Sequence, residues 1–250
     1  EHVNLSKSLN IDFFIPKSFL NLSISFTYIF AKKIFCVSNG VKNDVDYLSF
    51  FDLKKKLVTI YNPIVDHQPL FNETKQIVKN KVSILSVGTL KHQKNNAVLI
   101  KSLSLIENIK DYHLDIVGDG PLRIELEKMS KRLHLQNHIT FHGHQNNVNY
   151  FYEKADIFVL SSIYEGFGNV LVEALNYGLK IISTDCPNGP SEILNKSKYG
   201  LLIPPNDELA LKDAIKKIRN LEFNKKLLQN RARDFHIKTI SRLYLDEMSL

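Results

Sequence analysis

Short apolar runs alternate with helical stretches from residue 81 to residue 221, and this alternation constrains the fold more than any other feature of the sequence. The apolar runs, which we predict to be strands, are 82–87, 113–117, 139–141, 157–160, 180–184 and 200–203. The predicted helical segments are 96–107, 122–133, 148–154, 169–177, 191–195 and 208–221. Strands that alternate with helices form right-handed βαβ units. The sequence therefore predicts an α/β fold whose parallel sheet is covered on both faces and binds ligands at the carboxyl ends of its strands.

The residues before about 62 show a separate pattern. Two apolar runs, 33–38 and 57–61, flank a helical pattern at 43–50. The apolar segment 19–35 precedes them, but it contains Asn, Ser, Thr and two Lys residues. It is also shorter than the roughly 20 apolar residues that cross a bilayer. We expect a helix packed within a domain here, with an interfacial membrane helix as the alternative.

The most informative local motif is Glu165-Gly166-Phe167-Gly168, which is followed by a second carboxylate at Glu173. The motif lies between a predicted strand and a predicted helix. At such a turn, the free N–H groups of the helix N-terminus favour an anion, and glycine allows close approach of the ligand. A carboxylate would repel a phosphate, but it accepts the two hydrogen bonds that a sugar diol donates. These features together predict a site for a nucleotide diphosphate sugar.

The composition is that of a globular protein with an excess of basic residues. There are 33 Lys and Arg against 26 Asp and Glu, and the net charge of +7 suits an anionic ligand or an anionic membrane face. The basic residues are scattered, and no pattern of aromatic residues with arginine marks a base-stacking platform. We therefore predict no nucleic acid partner. Cys36 and Cys186 predict neither a disulfide nor a metal site.

The run EGFGNVLVEALNYG, which carries Glu165 and Glu173, resembles the signature of the retaining family 4 glycosyltransferases. These enzymes have the GT-B fold, with an N-terminal acceptor-binding domain and a donor-binding domain. The resemblance covers nearly the whole chain, including the N-terminal runs VSNGVKNDV and IYNPI. It implies the Rossmann-like parallel sheet of a GT-B C-terminal domain, together with a remnant of the N-terminal Rossmann-like domain.

The resemblance also implies a domain order. Residues 1–62 correspond to the end of the N-terminal acceptor-binding domain, and 63–80 to an interdomain linker. Residues 81–225 correspond to the donor nucleotide-sugar-binding domain, and 226–250 to a C-terminal helix that crosses back to the N-terminal domain. A complete family member would carry roughly one hundred further residues before the first residue given, so we expect the sequence to be N-terminally truncated.

In this resemblance, the sugar and the nucleoside of the donor have separate acidic partners. Glu165 faces the hexose, and Glu173 accepts hydrogen bonds from the ribose hydroxyls. The loop between them presents backbone N–H groups to the sugar and the phosphates. The further donor-binding residues implied are Gly88, Thr89, Gly118, His142, Gly166, Phe167, Gly168 and Asn169. For His142, an ordinary loop histidine is the alternative.

One departure from the family pattern follows the first strand of the donor domain. The family has Gly-Arg at this point and a lysine five residues after the arginine, and the two cations hold the diphosphate. Here Gly88 is followed by Thr89, whereas Lys94 keeps the expected spacing. Lys91 and His92 lie close enough in sequence to supply a second cation. Because positive charge stabilises the leaving group, we expect weaker donor binding and slower departure of the nucleotide.

The resemblance implies three catalytic residues: Glu165, Lys94 and His2, which matches a histidine that faces the reacting sugar. Asp44 and Asp46 have the DxD spacing of a metal-binding motif found in the other glycosyltransferase architecture. A helix would place their carboxylates about 200° apart. Because the histidines show no paired ligand spacing either, we predict no metal site.

The functional prediction is transfer of a hexose or N-acetylhexosamine from a UDP-sugar to a hydroxyl of a glycan or lipid-linked glycan, with retention and without a cofactor. The expected setting is surface polysaccharide synthesis in the cytoplasm. Peripheral contact with the inner face of the membrane is an option that the sequence leaves open. The alternative is a non-catalytic nucleotide-sugar-binding fragment, which would bind UDP without turnover. A cofactor-binding oxidoreductase is disfavoured because GxGxxG is missing after the first strand, and product analysis would distinguish a sugar nucleotide epimerase.

Overall fold

The computed structural model describes residues 17–67, 69 and 81–249. A small N-terminal unit precedes the main sheet. It consists of helix α1 (Lys17–Ile29), strand β1 (Ile34–Cys36), helix α2 (Asn39–Leu48) and strand β2 (Leu57–Thr59). The two strands pair in parallel and form a two-stranded sheet of their own.

A six-stranded parallel sheet forms the main body of the described chain. Its strands are β3 (Val82–Val87), β4 (Tyr112–Val117), β5 (Ile139–Gly143), β6 (Ile157–Leu160), β7 (Lys180–Thr184) and β8 (Leu201–Ile203). Their order is β5-β4-β3-β6-β7-β8, and every pair is parallel. The direction of winding therefore reverses between β3 and β6, which is the point where doubly wound sheets bind ligands. The predicted Rossmann-like α/β fold is confirmed.

Helices cover both faces of this sheet. The helices that follow β3 are α3 (Asn96–Ser104), α4 (Arg123–Arg132), α5 (Asn149–Lys154), α6 (Asn169–Asn176), α7 (Pro190–Ile193), α8 (Glu208–Asn220), α9 (Lys225–Arg233) and α10 (Ile237–Met248). Helices α3, α4 and α8 contribute to the core on one face, and α5, α6 and α9 to the core on the other. All four residues of β6 are buried, with Ile157 and Val159 in one core and Phe158 and Leu160 in the other. A central parallel strand needs apolar residues on both faces, so these runs lack polar alternation.

Helix α2 begins at Asn39, four residues earlier than the predicted start at residue 43. The side chain of Ser38 accepts a hydrogen bond from the Val41 N–H and thereby caps the helix. Such a cap satisfies one of the N–H groups that a helix start leaves unbonded. The early start places the first turn of α2 against Glu192 of α7, whose carboxylate accepts hydrogen bonds from the Asn39 and Gly40 N–H groups.

The C-terminal region contains one helix more than the sequence pattern indicates. In the region 226–250, where one helix is predicted, the structure has two, α9 and α10. The side chain of Asn224 caps α9 by accepting a hydrogen bond from the Leu227 N–H. Only Leu228 and Ala232 of α9 are buried, which is too sparse an apolar pattern to predict a helix. Helix α9 packs against α6 and so extends the core on that face of the main sheet.

The chain between the N-terminal unit and β3 is anchored to the C-terminal region. Val65 pairs with His236, and the Ile64 N–H donates to the carbonyl of Phe235 at 3.0 Å. Of the predicted linker 63–80, residues 68 and 70–80 lie outside the described part of the chain. The proposed domain boundaries themselves stay predictions.

Candidate functional site

The loops that follow β3 and β6 meet at the carboxyl edge of the sheet, where the winding reverses. The side-chain amide of Gln93 donates to the carbonyl of Tyr164 at 2.9 Å, and the Ile163 N–H donates to the Gln93 carbonyl at 2.8 Å. The hydroxyl of Ser161 donates to the carbonyl of Lys94, also at 2.8 Å. These bonds hold the two loops together as one surface.

An ion pair between Lys94 and Glu165 lies at the centre of this surface. Nζ of Lys94 is 2.6 Å from Oε1 of Glu165, and the hydroxyl of Ser162 donates to the same oxygen at 2.6 Å. Glu165 is only 6% exposed. The lysine side chain runs past Gly88, where an added Cβ would come within 3.3 Å of Lys94 Cε. The two predicted catalytic residues that the structure describes are thus in direct contact.

Next to this ion pair lies the loop of residues 165–168, here called the motif loop. The Glu165 N–H donates to the carbonyl of Pro187. For the N–H groups of Gly166, Phe167 and Gly168, the described part of the chain supplies no acceptor. Gly168 has φ +98°, a left-handed conformation that suits glycine, and leads directly into α6. The loop therefore offers several donors at a helix N-terminus, where the helix dipole also favours negative charge.

The side chains of two predicted donor-binding residues turn toward the N-terminal unit. Phe167 is 2% exposed, and its ring stacks on Tyr61 at a centroid distance of 5.3 Å. The side-chain oxygen of Asn169 accepts a hydrogen bond from Asn62 at 2.8 Å. Both side chains are therefore engaged by the protein itself, and a ligand contact through the backbone of these residues stays a prediction.

Glu173 lies one turn into α6 and is held by a buried tyrosine. The hydroxyl of Tyr152 donates to Oε2 of Glu173 at 2.7 Å, and the Tyr152 ring stacks on Tyr177 at 5.4 Å. Burial raises the pKa of Glu173, although the Tyr152 hydrogen bond and the charge of Lys94 act in the opposite direction. No local sequence pattern indicates Tyr152 as a partner, because the contact joins two separate helices.

A cavity of about 270 Å³ adjoins the loop after β3. Gly88, Thr89, Gly118, His144 and Gln145 are among the residues that line it, and they come from the ends of three neighbouring strands. An added Cβ on Gly118 would lie 2.1 Å from the carbonyl oxygen of Gly88, so only glycine fits between these two turns. The structure therefore brings three predicted donor-binding residues together at one cavity. His144 and Gln145 belong to an irregular loop and carry no sequence signal.

The side chain of His142 is engaged elsewhere. Its Nε2 lies 2.7 Å from Oδ1 of Asp115, and its ring lies 4.6 Å from that of Phe151. A contact between the His142 side chain and a ligand stays a prediction. His2, the third predicted catalytic residue, lies outside the described residues.

Residues 17–67, 69 and 81–249 contain no cluster of three or more His, Cys, Asp or Glu side chains placed to hold a metal ion. Asp44 and Asp46 both belong to α2, as predicted. Within the same residues, no helix combines the length and apolar character needed to span a bilayer.

The sequence comparisons decide the family. Residues 68–235, more than half of the chain, match the sequence model described as glycosyl transferases group 1. The chain belongs to this family. Among its curated relatives is an uncharacterised glycosyltransferase of Methanocaldococcus jannaschii, which is 36% identical over 56% of this chain and 38% of its own length.

Two further relatives come from Campylobacter jejuni. The "GalNAc-alpha-(1->4)-GalNAc-alpha-(1->3)-diNAcBac-PP-undecaprenol alpha-1,4-N-acetyl-D-galactosaminyltransferase" is 32% identical over 84% of this chain and 59% of its own length. The "N-acetylgalactosamine-N,N'-diacetylbacillosaminyl-diphospho-undecaprenol 4-alpha-N-acetylgalactosaminyltransferase" is 29% identical over 82% of this chain and 56% of its own length. The chain therefore spans about half the length of the curated relatives that it matches.

Solved structures of glycosyltransferases share the fold. Anabaena HepE in complex with UDP and glucose superimposes with a TM-score of 0.82 at 20% identity, over 94% of this chain and 68% of that one. The apo lipopolysaccharide outer core galactosyltransferase WaaB gives a TM-score of 0.75 at 20% identity, over 94% and 66% of the two chains. At this level of identity the likeness supports the GT-B fold alone.

Proposed function

We propose that this group 1 glycosyltransferase chain binds a UDP-sugar and transfers its hexose or N-acetylhexosamine to a hydroxyl of a glycan acceptor with retention, in surface polysaccharide synthesis. The observation that carries the proposal is the Lys94–Glu165 ion pair at the reversal point of the sheet, beside motif loop N–H groups that have no acceptor among the described residues. The names of the Campylobacter relatives, which act on undecaprenol-linked glycans, support a lipid-linked acceptor. Cytoplasmic location and peripheral membrane contact stay predictions.

In this proposal each part of the donor has its own partner. The pyrophosphate meets the motif loop N–H groups and Lys94, and Glu165 accepts hydrogen bonds from the sugar hydroxyls. Glu173 accepts bonds from the ribose diol, and the cavity beside Gly118 takes the base. Fixed donors and a cation stabilise charge without reorganising during the reaction.

The proposed reaction requires no covalent nucleophile from the protein. The bond between the anomeric carbon and the phosphate oxygen breaks, and the acceptor oxygen bonds to the same carbon on the same face. The acceptor hydroxyl proton passes to the departing phosphate oxygen. Lys94 balances the charge on that phosphate, and the protein contributes positioning and electrostatics.

Glu173→Gln is expected to weaken UDP binding by about tenfold to a hundredfold, since a hydrogen bond to a charged group contributes about 1.5–3 kcal/mol. Titration calorimetry with UDP measures this effect. Glu125→Gln, an exposed carboxylate on α4, is the matched control and should bind UDP like the unchanged protein. Equal UDP affinity in both variants would refute the assignment of Glu173. Incubation with UDP-hexoses and a glycan acceptor tests turnover, and UDP binding without product would instead favour the non-catalytic fragment.

Tyr152→Phe is expected to make UDP binding more sensitive to acid. The folded-state pKa of Glu173 is raised above 4.5, so acidification protonates this carboxyl early and removes its acceptor capacity. The Tyr152 hydroxyl opposes that rise, and its loss moves the decline in UDP affinity to a higher pH. Affinities measured from about pH 5 to about pH 8 reveal the shift.

The matched control for this experiment is Tyr244→Phe, which removes a tyrosine hydroxyl on α10, where the ring packs against Phe35 of β1. It should leave the pH profile unchanged. In a Glu173→Gln background, Tyr152→Phe should no longer move the profile. Superimposable profiles for Tyr152→Phe and the unchanged protein would contradict the expectation.

A further inference from the structure

The motif loop is held from outside the predicted donor domain. The hydroxyl of Ser38 donates to the carbonyl of Gly166 at 2.8 Å, and Ser38 is fully buried. In a trans peptide, the C=O and the following N–H point in opposite directions. The Phe167 N–H, which shares this peptide unit, therefore points away from Ser38. The Ser38 hydroxyl thus sets the direction of the Phe167 N–H, which has no acceptor among the described residues.

The side chain of Phe167 is also held by residues outside the predicted donor domain. The Phe167 ring stacks on Tyr61 at 5.3 Å and meets Phe235 edge-on at 5.5 Å. The carbonyl oxygen of Phe167 lies close to the backbone of Gly189, where an added Cβ would come within 1.8 Å of it. Both the peptide unit and the ring therefore have little freedom to turn.

Glu192 fastens the N-terminal unit in this position. Its Oε2 accepts from the Asn39 N–H at 3.0 Å and from the Asn39 side chain at 2.9 Å, and its Oε1 accepts from the Gly40 N–H at 3.1 Å. The Tyr61 hydroxyl donates to Oε2 at 3.2 Å. Burial and the nearby Glu192 carboxylate raise the pKa of Tyr61, which keeps this hydroxyl protonated as a donor. The carboxylate thus bonds to the first turn of α2, directly after Ser38, where a negative charge is favoured.

We propose that Ser38 is a positioning residue for the donor site: it orients the Gly166–Phe167 peptide so that the Phe167 N–H binds the donor pyrophosphate. Glu192 is a second positioning residue, because it holds Ser38 against the loop. The donor site is then completed by a residue of the N-terminal unit and is not confined to the main sheet. This inference rests on the proposed binding of a UDP-sugar.

Ser38→Gly tests the inference, because glycine keeps most of the capping function at a helix N-terminus but has no hydroxyl to donate. Binding of UDP and of uridine to the full chain is measured by ligand-observed NMR. We expect UDP affinity to fall about tenfold, as for a lost hydrogen bond to an anion, with uridine affinity unchanged because uridine has no phosphate. Asp207→Gly, which removes the cap that Asp207 forms on the Ala210 N–H of α8, is the matched control and should change neither affinity.

Glu192→Gln is the second variant and should show the same selective loss of UDP affinity, since its amide group cannot accept bonds at both positions. Unchanged UDP affinity in the Ser38 and Glu192 variants, with UDP binding intact in the unchanged protein, would overturn the inference and leave the proposed function standing. An equal loss of UDP and uridine affinity would also overturn it, because that result indicates general damage to the site. No UDP binding by the unchanged protein would instead refute the proposed function, and this inference with it.

Discussion

Lys94→Met is expected to weaken UDP binding by about tenfold to a hundredfold and to slow sugar transfer by about a hundredfold to a thousandfold. Thr89 occupies the position where the family resemblance implies a second cation, so in the proposed donor site we expect Lys94 to provide more of the charge stabilisation at the leaving phosphate. Methionine keeps the length and apolar character of the side chain but removes the charge. Calorimetry with UDP and steady-state transfer assays measure the two effects. Lys101→Met, which changes an exposed lysine on α3, is the matched control for loss of a lysine and should leave both measurements unchanged.

The same substitution also removes the partner of a buried carboxylate. Glu165 is 6% exposed, and removing one member of a buried ion pair costs about 3–5 kcal/mol because a charge is left unpaired. The double variant Lys94→Met/Glu165→Gln should therefore recover stability in urea unfolding without recovering UDP affinity or transfer. If the double variant regained activity, Lys94 would act only by neutralising Glu165.

Gly189→Ala is expected to destabilise the fold by about 3 kcal/mol or more, combining backbone strain with a steric clash. The residue has φ +87°, and its Cβ would lie 1.8 Å from the carbonyl oxygen of Phe167, which cannot move without shifting the motif loop. Urea unfolding measures the loss of stability, and any folded protein that remains should bind UDP poorly.

Gly168→Ala separates the two causes. Gly168 also has positive φ, +98°, but its nearest Cβ contact would be an ordinary 3.4 Å to Leu171 Cδ1. This variant should therefore show only the strain of about 1–3 kcal/mol. Equal destabilisation by the two alanines would show that the contact with Phe167 is not close in solution.

The fold could be predicted from the sequence because its central strands are continuous apolar runs. The buried run of β6 marks the sheet, and the glycines at the ends of β3 and β4 mark the edge where we predict that a ligand binds. The motif containing Glu165 predicts a nucleotide-sugar site, and the family resemblance implies the roles of individual residues; both stay predictions. Family and fold are both confirmed by the comparisons.

The supporting contacts of the site could not be predicted in the same way. Ser38 and Gly166 are 128 residues apart in sequence, and no spacing rule connects a capping serine to a distant carbonyl. Tyr152 has the apolar surroundings of an ordinary core residue, and only the packed helices show its hydroxyl against Glu173. Such contacts depend on tertiary packing, which a local pattern does not encode.

The aromatic contacts of Phe167 affect which segment can be exchanged between family members to make a chimaera. Tyr61 and Phe235, which lie outside residues 81–225, enclose the ring of a loop that belongs to that segment. A chimaera that exchanges only residues 81–225 between family members would place this ring among side chains that did not evolve with it. An exchange of the proposed donor site should therefore include residues 34–248, which contain the small N-terminal sheet.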